Sequence, residues 1–297
     1  LAGNCIVLKP APTTPVTALM LGALCKDIFP AGVVNIITDN NDLGGHLTSH
    51  PDVAKIGFTG STATGKKILA SSADTVKRVT LELGGNDAAI VLEDVDVRET
   101  AQAIFNNAFL NCGQVCLAIK RAYVHDAIYD AMCEELARIA EETVVDDGTK
   151  QGTRIGPIQN KAQFEKVKDF IDSARRDGKI IAGGQVMERE GYFIRPTIVR
   201  DVKDGDRIVD EEQFGPILPV IRFSDVDDVV ARANGLEYGL GGSVWAKDID
   251  RAAAVAGRID SGQVWVNQHL AIGPHIPMAG FKASGLGVEQ AVEGLAE

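Results

Sequence analysis

The sequence is short of positive charge, of cysteine and of long apolar runs. Lys and Arg total 30 against 41 Asp and Glu, giving a formal net charge of −11 at pH 7 and a pI of about 5.0. Such an acidic chain repels phosphate backbones and anionic lipid, so neither nucleic acid nor a membrane surface is an expected partner. No stretch approaches the roughly 18 consecutive apolar residues that a transmembrane helix needs. The opening run Leu1-Ala2-Gly3-Asn4 has no initiator Met and no basic-then-apolar signal pattern. It leads straight into the apolar Cys5-Ile6-Val7-Leu8, so the expectation is a chain that begins inside a domain of a longer protein. The 5 cysteines (Cys5, Cys25, Cys112, Cys116 and Cys133) are odd in number and irregularly spaced, which excludes a disulfide framework. With no export signal, the expected compartment is the reducing cytoplasm.

Metal-binding and nucleotide-binding signatures are also missing. Cys112 and Cys116 do not have C-x-x-C spacing, and no His/Cys pair supplies complementary ligands, so no metal is expected. His46 and His50 are four residues apart, but no Glu completes His-Glu-x-x-His, and a solvated helix face explains them. Neither G-x-G-x-x-G nor a Walker A loop occurs. A papain-like cysteine hydrolase finds no local signature either.

What is present is an ordinary globular composition, 45% hydrophobic and 24% charged, with alternating strand and helix patterns. Strands are expected at Cys5–Leu8, Val33–Ile37, Lys55–Thr59, Val79–Leu83 and Ala88–Leu92. A helix is expected after Thr14-Pro15, with Thr14 as its cap, carrying Leu19, Leu21, Leu24, Cys25 and Ile28. A second helix is expected to open at Gly60-Ser61-Thr62. Further along, helices are expected at Val97–Phe109, Ile128–Thr143, Ala162–Arg176, Val226–Asn234 and Ile249–Ile259. Strands are expected at Ala122–His125, Thr197–Val199, Leu218–Phe223, Gly242–Trp245 and Val264–Asn267. This alternation predicts an α/β fold with a mostly parallel sheet covered by helices. The tight pair Gly84-Gly85 is the expected domain boundary.

Three segments stand out chemically. Phe58-Thr59-Gly60-Ser61-Thr62 joins a strand to a helix, where free N–H groups and the helix dipole favour a phosphate; a plain N-cap at Ser61 explains it equally well. In Asn111-Cys112-Gly113-Gln114-Val115-Cys116 a glycine-marked break precedes Cys116. If Cys116 opens a new helical turn, the dipole lowers its thiol pKa and favours a nucleophile; the bland alternative is a small buried hydrophobe. Glu82 sits between Leu81 and Leu83 at a strand end. Buried there, it would be a base near neutrality; facing outward, it would be an ordinary surface carboxylate.

Taken together and in order, these segments resemble the aldehyde dehydrogenase superfamily along essentially the whole chain. The landmarks are Val7-Leu8-Lys9-Pro10, Phe58-Thr59-Gly60-Ser61, Leu81-Glu82-Leu83-Gly84-Gly85, Asn111-x-Gly113-Gln114-x-Cys116, Glu212-x-Phe214-Gly215-Pro216 and Trp265-Val266-Asn267. The resemblance implies a Rossmann-like cofactor domain, here incomplete, plus an α/β catalytic domain. It places residues 1–84 in the cofactor domain and 85–284 in the catalytic domain, with 285–297 returning toward the first. It implies Cys116 as nucleophile and Glu82 as general base, Lys9 on the adenosine ribose, and Gly60 and Ser61 at the phosphates. Glu212 would bind the nicotinamide ribose, Phe214 would pack beside the nicotinamide, Asn267 would face the substrate cavity, and Glu289 would assist proton relay. The implied reaction oxidises an aldehyde to a carboxylic acid through a Cys116 thiohemiacetal and thioester, with NAD, or alternatively NADP, as cofactor, in a homo-dimer or homo-tetramer.

Two departures from the family pattern matter. An acidic residue usually stands three positions after Lys9, where it binds ribose hydroxyls; here that position is Pro12, which opens the choice between NAD and NADP. The family's N-terminal strands, an oxyanion-hole Asn and the C-terminal oligomerisation strand are also missing, so the 297-residue chain alone is expected to be unstable or inactive. The rival readings are a coenzyme A-acylating aldehyde dehydrogenase and a non-catalytic binding or structural member of the superfamily. Retention of Glu82 argues against the first, and retention of both Glu82 and Cys116 against the second.

Overall fold

The computed structural model describes residues 2–297; Leu1, the first residue of the opening run, lies outside the described residues. The first strands are β1 (Ile6–Leu8) and β2 (Val34–Ile36), which pair in parallel across α1 (Val16–Cys25). The Thr14 cap expected for α1 does not form. The Thr14 N–H closes a turn onto the Ala11 carbonyl, and the helix starts from Pro15 without a side-chain cap bond. It also stops at Cys25, short of Ile28, whose N–H closes a turn onto the Cys25 carbonyl. After α2 (Gly44–Ser49), β3 (Lys55–Thr59) leads into α3 (Thr62–Ser72) and on to β4 (Arg78–Glu82), parallel to β3 with Thr59 opposite Glu82.

Beyond Gly84-Gly85 the chain enters a second and larger sheet. In order come β5 (Asp87–Val91), α4 (Val97–Phe109), β6 (Ile119–His125), α5 (Tyr129–Glu142), α6 (Lys161–Asp177), β7 (Lys179–Ala182) and β8 (Thr197–Val202). Then follow α7 (Arg207–Asp210), β9 (Ile217–Phe223), α8 (Val226–Asn234), β10 (Tyr238–Gly239), β11 (Gly241–Trp245), α9 (Ile249–Ala256), β12 (Gln263–Val266), β13 (Phe281–Lys282), β14 (Gly285–Leu286) and α10 (Ala291–Ala296). Seven strands line up as β12-β11-β5-β6-β9-β8-β7, parallel except for the β7–β8 pair. A parallel pair needs a crossover, and α4 supplies the one between β5 and β6. Strands buried on both faces read as unbroken apolar runs, and Ala88-Ala89-Ile90-Val91 is such a run at the sheet's centre.

Helical spacing explains the cover over this sheet. In α5, Tyr129, Met132, Cys133, Leu136 and Ile139 fall on one stripe, and all are buried. Each such large side chain contributes roughly 1.5–3 kcal/mol. The polar loop expected over 144–160 is present and carries only an isolated bridge between Val145 and Ile155. Near its end the chain turns back: β14 pairs antiparallel with β4, setting Gly285 against Glu82 and Leu286 against Leu81. No helix among the described residues is long and apolar enough to cross a membrane.

Candidate active site

Cys116 does not open a helix. After α4, Asn111, Cys112 and Gly113 take φ of 50°, 60° and 70°, three successive left-handed residues that break the helical path. Cys116 then lies in a turn closed by the Ala118 N–H on the Val115 carbonyl, followed by strand β6. The condition on which a helix dipole would lower its pKa is therefore not met: burial pushes the Cys116 thiol up, opposed by the Lys120 charge and by the Leu117 N–H beside the sulfur. Gly113 is required where it stands. A Cβ on it would lie 2.3 Å from the Gly215 carbonyl oxygen, so the Cys116 loop packs directly on the Glu212–Pro216 segment. Gln114 braces the loop by accepting from the Gln159 N–H at 2.9 Å and donating to the Asn111 carbonyl at 3.1 Å.

Glu82 ends β4 with 2% of its surface exposed, between Leu81 and Leu83 in the chain. Both carboxylate oxygens are buried without a hydrogen-bond partner. That burial, with the charge of Glu289 added, raises its pKa to about 7. Of the two readings left open by the sequence, the structure takes the inward one. The Gly84-Gly85 pair just beyond it is packed on both sides. A Cβ on Gly84 would lie 2.7 Å from Glu212 Oε2, and one on Gly85 would lie 2.6 Å from the Cys116 carbonyl oxygen. The glycines thus bring the Glu82 strand, the Cys116 turn and Glu212 to one place.

Glu212 Oε1 accepts from the Gly85 N–H at 3.1 Å and lies 3.6 Å from Lys120 Nζ. The same ammonium donates to the Cys116 carbonyl at 2.6 Å and to the Val115 carbonyl at 2.9 Å. Lys166 donates to the Glu212 carbonyl, and Gln163 donates to the carbonyls of Gln213 and Phe214, whose own φ is 49°. Beneath the turn, His269 Nε2 donates to the Leu117 carbonyl at 2.8 Å and stands 3.5 Å from Asp87 Oδ2.

The other sequence-marked residues surround this cluster or lie apart from it. Ser61 accepts from the Thr64 N–H at 3.3 Å, so the N-cap reading is present, and its neighbour Thr62 Oγ1 faces Gly84. Gly60 lies under the Phe58 ring. Lys9, just past β1, forms an ion pair at 3.0 Å with Asp39. Both ends of the Asn267 amide are bonded to the Ala246 backbone, at 2.8 and 2.9 Å. Glu289 bridges antiparallel to Met278 and acts on Glu82 by its charge. Sequence reasoning missed Lys120, Asp39 and the His269–Asp87 pair. The available signal for Lys120 was the basic pair Lys120-Arg121, both buried in an otherwise apolar strand. Among the described residues no group of three or more His, Cys, Asp or Glu could hold a metal ion.

Comparison with known proteins agrees across the whole length. A family model described as the aldehyde dehydrogenase family matches residues 1–297. The chain is 44% identical to aldehyde dehydrogenase LUC3 of Fusarium sp over 99% of its own length and 63% of that relative, so it spans less than two thirds of that protein. It superposes on an NAD+ complex of an aldehyde dehydrogenase from Bacillus cereus with a TM-score of 0.95 at 38% identity, over 98% of this chain and 60% of that one. An E. coli NADP dependent enzyme matches with a TM-score of 0.94 at 38% identity, over 98% of this chain and 61% of that one.

Proposed function

This chain belongs to the aldehyde dehydrogenase family, and we propose that the protein carrying it oxidises an aldehyde to a carboxylic acid, with Cys116 as nucleophile and Glu82 as base. The observation that carries this reading is the Glu82 carboxylate, which is buried, unpartnered on both oxygens and titrating at about 7. A structural carboxylate buried to this degree would be hydrogen-bonded; one kept free at neutral pH suits the removal of a proton from water.

The residues present fit a nicotinamide dinucleotide. Glu212 has Oε1 fixed by Gly85 and Lys120, while Oε2 faces the space that a Cβ on Gly84 would fill. That leaves a carboxylate oxygen and an open backbone for the nicotinamide ribose, with Phe214 beside it. Gly60 and Ser61 at the α3 terminus suit the phosphates, and Lys9 the adenosine ribose. When bound, the dinucleotide accepts the hydride that leaves the substrate carbon. The remaining chemistry falls to this chain. The Cys116 thiolate adds to the aldehyde carbonyl, and the Cys116 N–H would help to stabilise the oxyanion that forms. Loss of hydride leaves a thioester on Cys116. Glu82 takes a proton from water, hydroxide adds to the thioester carbon, and the acid departs as the thiolate returns. Glu289 helps to keep Glu82 receptive to that proton, and Asn267, fixed by Ala246, borders the substrate cavity. In this reading residues 1–84 serve the cofactor, 85–284 the chemistry, and 285–297 return to the Glu82 strand.

The test is aldehyde-dependent formation of reduced dinucleotide by the protein carrying this chain. Cys116→Ala is expected to lower the rate by about 10⁴ or more. Glu82→Gln is expected to give one burst of reduced dinucleotide and then stall, with the acyl group on Cys116 detected by mass spectrometry. Equal activity in Cys116→Ala would sink the assignment. Product analysis with and without coenzyme A separates hydrolysis from acyl transfer to the thiol.

A further inference from the structure

The cofactor reading above leaves open which dinucleotide the chain selects, because Pro12 occupies the position where its family places an acidic residue. Pro12 sits in an exposed turn between β1 and α1 and offers neither charge nor N–H. The structure supplies a carboxylate from a different element. β1 and β2 are adjacent parallel strands, and the Ile37 N–H donates to the Leu8 carbonyl as the pair ends. Lys9 follows β1 at once and Asp39 follows β2 by three positions. Both side chains therefore lie past the carboxyl ends of neighbouring parallel strands, where open α/β sheets bind their ligands.

The Asp39 carboxylate is fully committed. Oδ1 accepts from Lys9 Nζ at 3.0 Å and Oδ2 accepts from the Leu43 N–H at 3.0 Å. Its side chain is 0% exposed, whereas that of Lys9 is 19% exposed and runs over Gly44, 3.9 Å from where a Cβ there would be. The pair thus presents one face of an ammonium whose charge is already matched from behind. Lys9 and Lys26 are the only Lys or Arg side chains between residues 2 and 54, and Lys26 caps the far end of α1, about 15 Å along the helix. A 2′-phosphate would bring roughly two negative charges to an ammonium that is already matched by a fixed carboxylate behind it. Ribose hydroxyls make no such demand. They need donors, and the ammonium keeps two after bonding Asp39.

We propose that Asp39, not the residue at position 12, sets cofactor choice: by neutralising Lys9 it makes the site an NAD site and turns away NADP. Asp39 acts here as a positioning residue, through Lys9, and the inference rests on the cofactor-site reading above.

The test is the affinity of the protein for NAD and for NADP, measured in parallel by calorimetry, with circular dichroism and thermal unfolding as folding controls. The wild type is expected to bind NAD at least tenfold more tightly than NADP. Asp39→Asn removes the charge and keeps an acceptor for the Leu43 N–H; it is expected to move the affinity ratio toward NADP at least tenfold. Lys9→Gln leaves the Asp39 charge unmatched and is expected to move the ratio further toward NAD while weakening both. Retained binding with an unchanged ratio in both variants overturns the role of Asp39 and spares the cofactor site. A wild type that prefers NADP also overturns it. A folded wild type that binds neither dinucleotide overturns the cofactor-site reading, and this inference with it.

Discussion

At the scale of single residues, Glu82 ties stability to the proposed chemistry. Its carboxyl titrates at about 7 in the folded protein against 4.5 when solvated. A raised carboxyl pKa means that the folded state holds the proton more tightly. The stabilisation is therefore complete below about pH 4.5 and is lost as pH rises through about 7. At about 1.4 kcal/mol per tenfold, the full loss comes to roughly 3–4 kcal/mol, of which about 2–3 kcal/mol falls between pH 5 and 8. Urea unfolding at a series of pH values is expected to show Glu82→Gln gaining on the wild type by about 2–3 kcal/mol between pH 5 and 8; parallel curves would contradict it. The conflict behind this behaviour was legible in the sequence, since a carboxylate between two leucines has no good place on a buried strand. Cys116 was legible only in part. Its motif marked the residue, but nothing local announced that Asn111, Cys112 and Gly113 would all adopt positive φ, and so the choice between a helical turn and a plain loop at Cys116 stayed open. Lys120 was not legible because β6 starts at Ile119, three residues before the expected Ala122, so the lysine lies inside the strand and points into the site.

At the scale of elements, the segment between α4 and β6 is held by contacts that tolerate no added atom. Gly113 combines φ of 70° with a Cβ position 2.3 Å from the Gly215 carbonyl oxygen. Gly113→Ala is expected to cost about 2–4 kcal/mol, through left-handed strain plus a backbone shift, and to displace Cys116. Gly148 lies in an exposed loop where a Cβ meets nothing within 4 Å, and Gly148→Ala is the control, expected within about 0.5 kcal/mol of the wild type. Thermal unfolding of the two variants decides; equal costs would remove the argument. Long periodic elements such as α4, α5 and α6 were readable because their apolar stripes repeat over several turns. The four-residue β7 was not, since Gly178 and Gly183-Gly184 crowd both its ends and its first residue, Lys179, is exposed. The α1 cap failed for a similar reason: Thr14 is a good capping residue, but its backbone is taken by the turn onto Ala11.

At the scale of the whole molecule, burial is unevenly distributed. The seven-stranded sheet holds most of the buried apolar side chains, whereas α1 buries none and all three residues of β1 are exposed. Hydrogen exchange in this 297-residue chain is therefore expected to be faster in the amides of α1 than in those of β5, β6 and β9. Mass spectrometry of exchange-labelled peptides checks this, and equal protection at Leu19–Leu24 and Ala88–Leu92 would contradict it. The alternation of strands and helices was enough to foresee a mostly parallel sheet. Strand order was not, because order depends on which distant strands meet. One consequence of that order concerns biosynthesis. β5 pairs on one side with β6, made soon after it, and on the other with β11, whose Gly241 lies 150 residues past Val91 (241 − 91). At a ribosomal rate of about 5–20 residues per second, one edge of the inner strand β5 waits roughly 8–30 s for its partner. During synthesis the nascent chain thus carries an apolar, unpaired edge, Ala88-Ala89-Ile90-Val91, in reach of any chaperone or any second nascent copy of itself.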